Sequence, residues 1–182
     1  SFGVILMTQP IAGVAPSTAS EVTSMVVWPG LTALSTPPFG RLGCTLGRLY
    51  SIQTGIGNIL TLGNLFALMS IPIALQMFFA GLLPGIARRY VLTNRRVIVE
   101  RLQFSWSAKW VEEMAVSLDN FDSIEVIVLP GQAWYPAGDL IFRNGDVETF
   151  RLIGVMRPET FRRTCLKAHT SFVGVQQLAS VS

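Results

Sequence analysis

Few residues in this chain have the type and spacing that catalysis requires. The single histidine, His169, falls at the end of a predicted helix, where the helix dipole favours a cation. Glu112 and Glu113 are adjacent, so in a strand they point to opposite faces and cannot act together as acid and base. Cys44 and Cys165 are far apart and are expected to be free thiols in a reducing compartment. These residues predict no catalytic centre.

Signatures of bound cofactors are missing from the sequence as well. Histidines, cysteines and carboxylates form no cluster with metal-ligand spacing, and no base neighbours a serine or threonine that it could activate. Neither the GxGxxG nor the GxxxxGKS/T phosphate-binding motif is present. The net charge is only +3, without a basic stripe interleaved with aromatics. We therefore expect a protein that is not an enzyme, with no cofactor, no metal and no nucleic-acid partner.

The clearest polar feature is a group of arginines that follows an uncharged stretch. Such a group marks the cytoplasmic end of many membrane segments. It can also hold anionic lipid heads, at about 1 kcal/mol per residue, or pair with acidic groups of a partner subunit. The three interpretations are compatible, so the candidate lipid or partner contacts are Arg88, Arg89, Arg95, Arg96 and Arg101.

The stretch before these arginines has 39 consecutive residues, between Arg48 and Arg88, without Lys, Arg, Asp or Glu. Within it, the residues from Gly57 to Ile86 exceed the about 20 apolar residues that a membrane-spanning helix needs. We therefore predict one transmembrane helix over about 57–86, kinked at Pro72. More arginines follow this segment than precede it, so the positive-inside rule places the C-terminal domain in the cytoplasm.

Three glycines of this segment, Gly57, Gly63 and Gly81, are candidate positions for close helix packing. The alternative to one span is a hairpin with a first helix near Leu46–Phe66 and a second over Ile71–Ile86. Each arm of that hairpin would be close to or below the lower limit for a full crossing. A single span therefore remains the preferred prediction.

The first 45 residues have a different character. They are apolar and rich in Pro and Gly, but no helical or strand period lasts more than a few residues. An ordered segment of this kind must bury its side chains, so we expect it to pack on a partner or at the membrane interface. The predicted organisation is an arm over residues 1–45, a membrane segment over 46–87, a domain over 88–170 and a tail over 171–182.

After the arginines the sequence takes the twofold period of strands. Runs rich in β-branched residues predict strands at about 89–93, 95–102, 110–118, 123–129, 139–143 and 147–153. Asn144-Gly145 predicts a tight hairpin between the last two, because both turn positions require positive φ. Trp106 and Trp110 either form an aromatic belt at a membrane interface or fill the barrel, and their spacing does not decide.

The last predicted element is a helix that begins at Pro158, with an acidic residue in its first turn. Phe161, Thr164, Cys165 and Ala168 would share one of its faces. The predicted fold is therefore a transmembrane helix followed by an α+β domain, in which a curled antiparallel sheet of six or seven strands is closed by a C-terminal helix.

This order of elements resembles the bacterial pleckstrin-homology (PH) family, whose membrane-attached members carry the domain directly after transmembrane helices. The most specific match is Arg89-Tyr90-Val-Leu-Thr93-Asn94-Arg95-Arg96-Val-Ile-Val99. Weaker matches are Leu118–Val126, Ala137–Leu140 and the helix that contains Pro158. The resemblance covers about residues 86–170. It implies a seven-stranded, partly open barrel capped by a helix, and it carries no ligand site across.

The resulting expectation is a non-catalytic accessory or scaffold subunit of a larger membrane complex at the bacterial inner membrane. Its partners would be other membrane subunits and lipids, with a photosynthetic reaction-centre or light-harvesting assembly as one guess that no pigment-ligand motif supports. The alternative is an independent membrane-tethered PH-like module that binds anionic lipid heads or a soluble protein through Arg95 and Arg96.

Overall fold

The computed structural model describes residues 20–34, 41–56 and 60–181, which form an α+β protein. The elements in chain order are β1 (Thr23–Val27), a 3-10 helix (Leu31–Ala33), α1 (Leu42–Tyr50), β2 (Gly55–Ile56), β3 (Leu60–Thr61), α2 (Leu62–Met69), α3 (Ile71–Ala80), β4 (Arg88–Thr93), β5 (Arg96–Phe104), β6 (Ala108–Ser117), β7 (Ser123–Ile127), β8 (Ala137–Asn144), β9 (Val147–Met156) and α4 (Pro158–Val181). The predicted α+β class, with antiparallel strands and a C-terminal helix, is confirmed.

Two antiparallel sheets form the framework of the molecule. One has four strands in the order β1-β4-β5-β6, and the other has three in the order β7-β8-β9. The two-residue strands β2 and β3 pair only with each other. The six strands predicted after the arginines are all present. The hairpin predicted at Asn144-Gly145 joins β8 and β9, but its turn lies one residue later. Asn144 pairs with Val147, so the turn consists of Gly145 and Asp146, and of Asn144 and Gly145 only Gly145 has a positive φ, of +59°.

The seventh main strand comes from the segment that the sequence set apart as an arm. β1 runs antiparallel to β4, with Val27 opposite Tyr90 and Thr23 opposite Thr93. Residues 23–27 therefore find their packing surface within the chain, where a partner or a membrane was expected. The five residues Thr-Ser-Met-Val-Val show no alternation of polar and apolar side chains, so the sequence pattern did not predict this strand. Residues 1–19 and 35–40 of the predicted arm lie outside the described residues.

This pairing makes residues 28–87 an insert between two neighbouring strands. β1 ends at Val27 and β4 begins at Arg88, and these ends lie side by side because the strands are antiparallel. The chain therefore leaves and re-enters the four-stranded sheet at the same end. All helices described before α4 belong to this insert.

The core lies between the two sheets and α4. Its fully buried side chains include Leu92, Val97, Leu118, Leu140, Phe142, Leu152, Val155, Phe161 and Cys165. Phe142 packs edge-on against Phe121, with ring centroids 5.0 Å apart, and against Phe150 at 5.6 Å. On the predicted inner face of α4, Phe161, Cys165 and Ala168 are buried, whereas Thr164 is partly exposed.

The last helix is longer than the sequence indicated. The region predicted as a tail from residue 171 continues α4 to Val181. His169 is therefore inside the helix, where it cannot act on a C-terminal dipole. Its Nδ1 lies 2.6 Å from the Leu118 carbonyl oxygen, and its ring stacks at 5.2 Å on Phe121. The histidine thus fastens α4 to the loop after β6.

Candidate functional site

The apolar segment forms two helices where one kinked span was predicted over 57–86. α2 begins after Thr61, whose Oγ1 accepts a hydrogen bond from the Asn64 amide at 3.2 Å, as an N-cap does. α2 ends before Ser70, and α3 starts with Pro72 in its first turn. A proline there needs no amide hydrogen, so Pro72 begins a new helix instead of kinking a continuous one. The hairpin alternative, with longer helices, does not match these boundaries either.

In the described part of the chain, no single helix is long and apolar enough to cross a bilayer. α2 and α3 taken together have the length and composition for it, but they meet at an angle of 52°. By length and composition, this bent pair fits a broken span or a re-entrant loop.

A surface helix of a water-soluble protein turns its large apolar side chains toward the core. The helix pair α2–α3 has the opposite arrangement. Its less exposed positions are mostly small residues, namely Gly63, Ala67, Ser70, Ala74, Met77 and Ala80. Ten large apolar side chains of the pair are between 42% and 70% exposed, namely Leu62, Leu65, Phe66, Leu68, Met69, Ile71, Ile73, Leu75, Phe78 and Phe79. Leu82, Leu83 and Ile86, in the turns that follow α3, are about half exposed as well. Small residues toward protein and large ones outward is the arrangement of helices that face lipid.

The small residues hold the pair against the rest of the protein. A Cβ added at Gly63 would lie 2.6 Å from the Ile52 carbonyl oxygen and still closer to that of Tyr50. The Ser70 hydroxyl at the bend hydrogen-bonds to the Tyr50 hydroxyl. Gly81 is less crowded, since a Cβ added there would have the Phe78 carbonyl oxygen as its nearest neighbour, at 3.3 Å. Gly57, the third predicted packing glycine, lies outside the described residues.

Helix α1 connects the pair to the sheets through close backbone approach. A Cβ at Gly43 would lie 2.6 Å from the Leu31 carbonyl oxygen, and one at Gly47 would overlap the backbone of Gly131. The spacing of these two glycines, one helical turn apart, is a packing signal that could have been found in the sequence. The Tyr50 ring at the end of α1 packs 5.4 Å from that of Trp134.

A buried polar cluster strengthens the same connection. Asp139 in β8 is only 2% exposed and forms an ion pair with Arg41, at 2.8 Å between Nη1 and Oδ2. Its Oδ1 accepts hydrogen bonds from Gln132 Nε2 at 2.8 Å and from the Gly154 amide at 2.9 Å. Because these groups are far apart in sequence, neither composition nor spacing pointed to the cluster. Its arrangement fixes the insert to β8 and β9.

The predicted basic cluster is neutralised largely within the chain. Arg88 makes two hydrogen bonds to the Glu113 carboxylate, at 2.9 and 3.0 Å. Arg96 bridges two carboxylates, with Glu21 at 2.8 Å and Glu112 at 3.0 Å. The remaining pairs are Arg89 with Glu100 and Arg101 with Glu113 at 3.9 Å, and Arg95 also has an interaction partner. Four of the five arginines therefore pair with four carboxylates, which disfavours their binding to anionic lipid.

The motif at the β4–β5 turn has a structural role that explains its composition. Thr93 Oγ1 accepts a hydrogen bond from the Arg96 amide and donates one to the Glu21 carboxylate, both at 2.9 Å. Asn94 Oδ1 accepts one from the Val22 amide at 3.0 Å. The Thr-Asn-Arg-Arg sequence therefore ties the turn to the start of β1.

The pKa shifts of the described residues indicate structural roles more than catalytic ones. A hydrogen bond from Arg96 lowers the pKa of Glu21. Burial raises the pKa of Tyr90 to about 12 and also raises the pKa values of the Cys44 and Cys165 thiols, which disfavours the nucleophilic thiolate. The described ranges contain no group of three His, Cys, Asp or Glu side chains that could hold a metal ion.

Two of the four tryptophans pack together where the insert joins the sheet, and a third lies in the β5–β6 turn. Trp28 follows β1, and its ring lies 5.4 Å from that of Trp110 at the start of β6. The Arg89 guanidinium sits 4.4 Å from the centroid of Trp110. Trp106, in the turn between β5 and β6, is fully exposed. The sequence did not decide whether Trp106 and Trp110 form an aromatic belt at a membrane interface or fill the barrel. In the structure, neither tryptophan belongs to the buried core.

Comparison with known proteins adds no identity. No protein-family profile matches the chain, and no curated protein sequence is significantly similar to it. The candidate site is therefore defined by geometry: the outward face of α2 and α3, with the aromatic and charged end of the four-stranded sheet beside it.

Proposed function

We propose that this chain is a membrane-attached, non-catalytic accessory subunit that is held on a bilayer by the helix pair α2–α3. The observation that carries the proposal is the reversed polarity of the pair, with small residues toward the protein and large apolar residues outward. Thirteen half-exposed apolar side chains at about 1 kcal/mol each would gain on the order of 10 kcal/mol on leaving water. That gain favours a stable attachment.

The attachment is one-sided, because the chain contacts the rest of the protein at the start of the pair, at its bend and just beyond its end. Gly63 at its start contacts the end of α1, and Ser70 at the bend contacts Tyr50. Just beyond its end, the Gly85 amide donates to the Leu102 carbonyl oxygen of β5 at 2.6 Å. An element fixed at start, middle and end lies along the protein, so it enters one leaflet. The proposed location is the cytoplasmic face of a bacterial inner membrane.

The domain on that face is proposed to be PH-like. This part of the proposal is supported by the four-plus-three antiparallel strands, by the C-terminal helix that covers their core, and by the Thr93-Asn94-Arg95-Arg96 turn. The accessory role is supported by the lack of reactive groups in the described site and by an apolar surface large enough for membrane subunits as well as lipid. Binding of lipid heads through Arg95 and Arg96 is less well supported, because Arg96 already bridges two carboxylates.

The first experiment tests the attachment by flotation of the full chain with neutral phosphatidylcholine vesicles. The triple variant Leu68→Gln, Ile71→Gln, Leu75→Gln changes only outward side chains, and a smaller fraction of it is expected to float than of the wild type. The control Val147→Gln changes a side chain that is 66% exposed on the β9 hairpin, and it should float like the wild type. Flotation of the triple variant to the same extent as the wild type, or no flotation of the wild type, contradicts the proposal.

The second experiment tests the accessory role in native membranes solubilised with a mild detergent. We expect the 19.9 kDa chain to migrate with other membrane subunits, which mass spectrometry would then name. A monodisperse chain that migrates alone with its detergent would exclude the accessory role and leave the attachment intact. Replacing Arg95 and Arg96 with Gln should leave binding to anionic vesicles unchanged, whereas a loss would favour the lipid-head alternative.

A further inference from the structure

The end of the four-stranded sheet that carries the insert also carries a projecting hairpin. β5 and β6 form this hairpin, with Phe104 opposite Ala108 across the turn. Arg88, the first residue of β4, is opposite Arg101, so β5 continues three residues beyond it to Phe104. At about 3.3 Å per residue, the hairpin extends about 10 Å past the start of β4.

The hairpin lies directly beside the last part of the apolar segment. The Leu102 carbonyl oxygen accepts a hydrogen bond from the Gly85 amide at 2.6 Å, and the Leu102 amide donates to the Ala87 carbonyl oxygen at 2.9 Å. These two bonds continue the β4–β5 ladder into the segment of Leu82, Leu83 and Ile86, whose side chains are about half exposed. The hairpin tip and the apolar insert therefore leave the sheet in the same direction.

The composition of this tip is unusual for a surface in water. Phe104 is 68% exposed and Trp106 is fully exposed, although nothing in the core requires them there. Lys109 follows on the same hairpin and has no ion-pair partner among the described residues. Trp28, which packs edge-on against Trp110, and Arg89, which lies over the Trp110 ring, complete the end of the sheet. Trp with Lys or Arg beside an apolar segment is the composition of a membrane interface.

We infer that the β5–β6 hairpin is a second membrane contact, which places Trp106 and Phe104 among the lipid headgroups of the bilayer that receives α2 and α3. This inference rests on the proposed attachment and adds the direction in which the sheet stands on the membrane. The tryptophan ring places its apolar body toward the acyl chains and its N–H toward water, and Lys109 faces the phosphates. The opposite end of the sheet, at the β4–β5 turn, points away from the bilayer.

The test uses single reporter cysteines in the full chain, labelled with an environment-sensitive fluorophore. The native Cys44 and Cys165 are 8% and 0% exposed, so only an introduced cysteine reacts in the folded protein. Ser107→Cys reports on the hairpin tip. Ser117→Cys is its matched control, because it is an exposed serine of the same hairpin, opposite Arg96, about 33 Å along the strand. Leu75→Cys reports on the outward face of α3.

On phosphatidylcholine–phosphatidylglycerol vesicles we expect the labels at 107 and 75 to shift their emission to the blue and to lose quenching by aqueous iodide. A lipid-borne nitroxide at the headgroup should quench the label at 107, while the label at 117 stays as in water. A lipid signal at 75 with a water signal at 107 overturns this inference and leaves the helix attachment standing. A water signal at 75 with a lipid signal at 107 overturns the helix attachment and keeps the hairpin contact. A lipid signal at 117 overturns the inferred direction.

Discussion

Phe142 in β8 and Phe79 in α3 are the same residue type in apolar segments, but the fold treats them in opposite ways. Phe142 is 0% exposed and packs between two other rings, whereas Phe79 is 57% exposed. The same contrast holds for their elements, since β8 is buried along most of its length and no residue of α3 is fully buried. Hydrophobic composition therefore does not distinguish a buried segment from an exposed one. The positions of the small residues identify the face of the helices that packs against the protein.

The two regions also differ in what holds them. The strands are held by side chains that interdigitate in a core, so removing a side chain leaves a cavity. The helix pair is held by backbone contact at small residues, so adding a side chain creates an overlap. Large-to-small substitutions should therefore harm the first region, and small-to-large substitutions should harm the second.

The largest expected effect comes from truncating the two phenylalanines. Phe142→Ala should lower the free energy of unfolding by about 3–5 kcal/mol, because it removes a buried ring and leaves a cavity. Phe79→Ala should change it by less than about 0.5 kcal/mol in detergent solution, because its side chain has few protein neighbours. Denaturant unfolding of both variants in the same detergent measures the difference. Equal losses would show that α3 packs in a protein core, contrary to the contrast drawn between the two regions.

This contrast also explains which parts of the fold the sequence could predict. Strands β4 to β9 carry local signals, namely alternation, β-branched residues and an Asn-Gly pair, and all six strands were predicted, although the last turn lies one residue later than Asn144-Gly145. Strand β1 escaped because its five residues gain their stability from pairing with β4, more than sixty residues later. The break at Ser70 escaped because hydropathy describes composition, whereas the helix boundary depends on a proline in the first turn of α3.

The candidate site was predicted incompletely for the same reason, since local sequence patterns do not reveal contacts between distant residues. Charge counting found the five arginines but not their partners, because Glu21, Glu112 and Glu113 reach them only through the strand register. The Arg41–Asp139 pair was missed for the same reason. The apolar segment was identified by composition alone, and its outward face became visible only with the helix geometry.

A smaller effect should come from adding one methyl group at the glycines of the helix pair. Gly63→Ala should lower the free energy of unfolding by about 1–3 kcal/mol, because the new Cβ would overlap the Tyr50 and Ile52 carbonyls. Gly81→Ala is its control and should cost less than about 1 kcal/mol, since the nearest atom is 3.3 Å away. The same unfolding measurement checks both. A larger loss at Gly81 would mean that the pair is held at its end instead of at its start.

The smallest expected effect concerns the ion pair between Glu21 and Arg96, which lies outside both apolar regions. The hydrogen bond from Arg96 holds the pKa of Glu21 below its ordinary value of 4.5. A carboxylate with a lowered folded-state pKa stabilises the fold above its unfolded pKa and loses that contribution as the pH falls through the folded value. The stabilisation should therefore be fully present above about pH 4.5 and disappear below it, and because exposed ion pairs are screened it should not exceed about 1 kcal/mol.

Two variants measure this contribution. Glu21→Gln should be slightly less stable than the wild type at pH 7, and the two unfolding curves should converge in acid. Arg96→Gln should return the pKa of Glu21 toward 4.5, which an NMR titration of its carboxyl carbon reports directly. High salt should reduce the difference in stability between Glu21→Gln and the wild type at pH 7, because dissolved ions screen the attraction between exposed charges. A difference that persists unchanged in acid and in high salt would mean that Glu21 acts through its hydrogen bond to Thr93 in fixing β1, and that the charge of Arg96 is incidental to the fold.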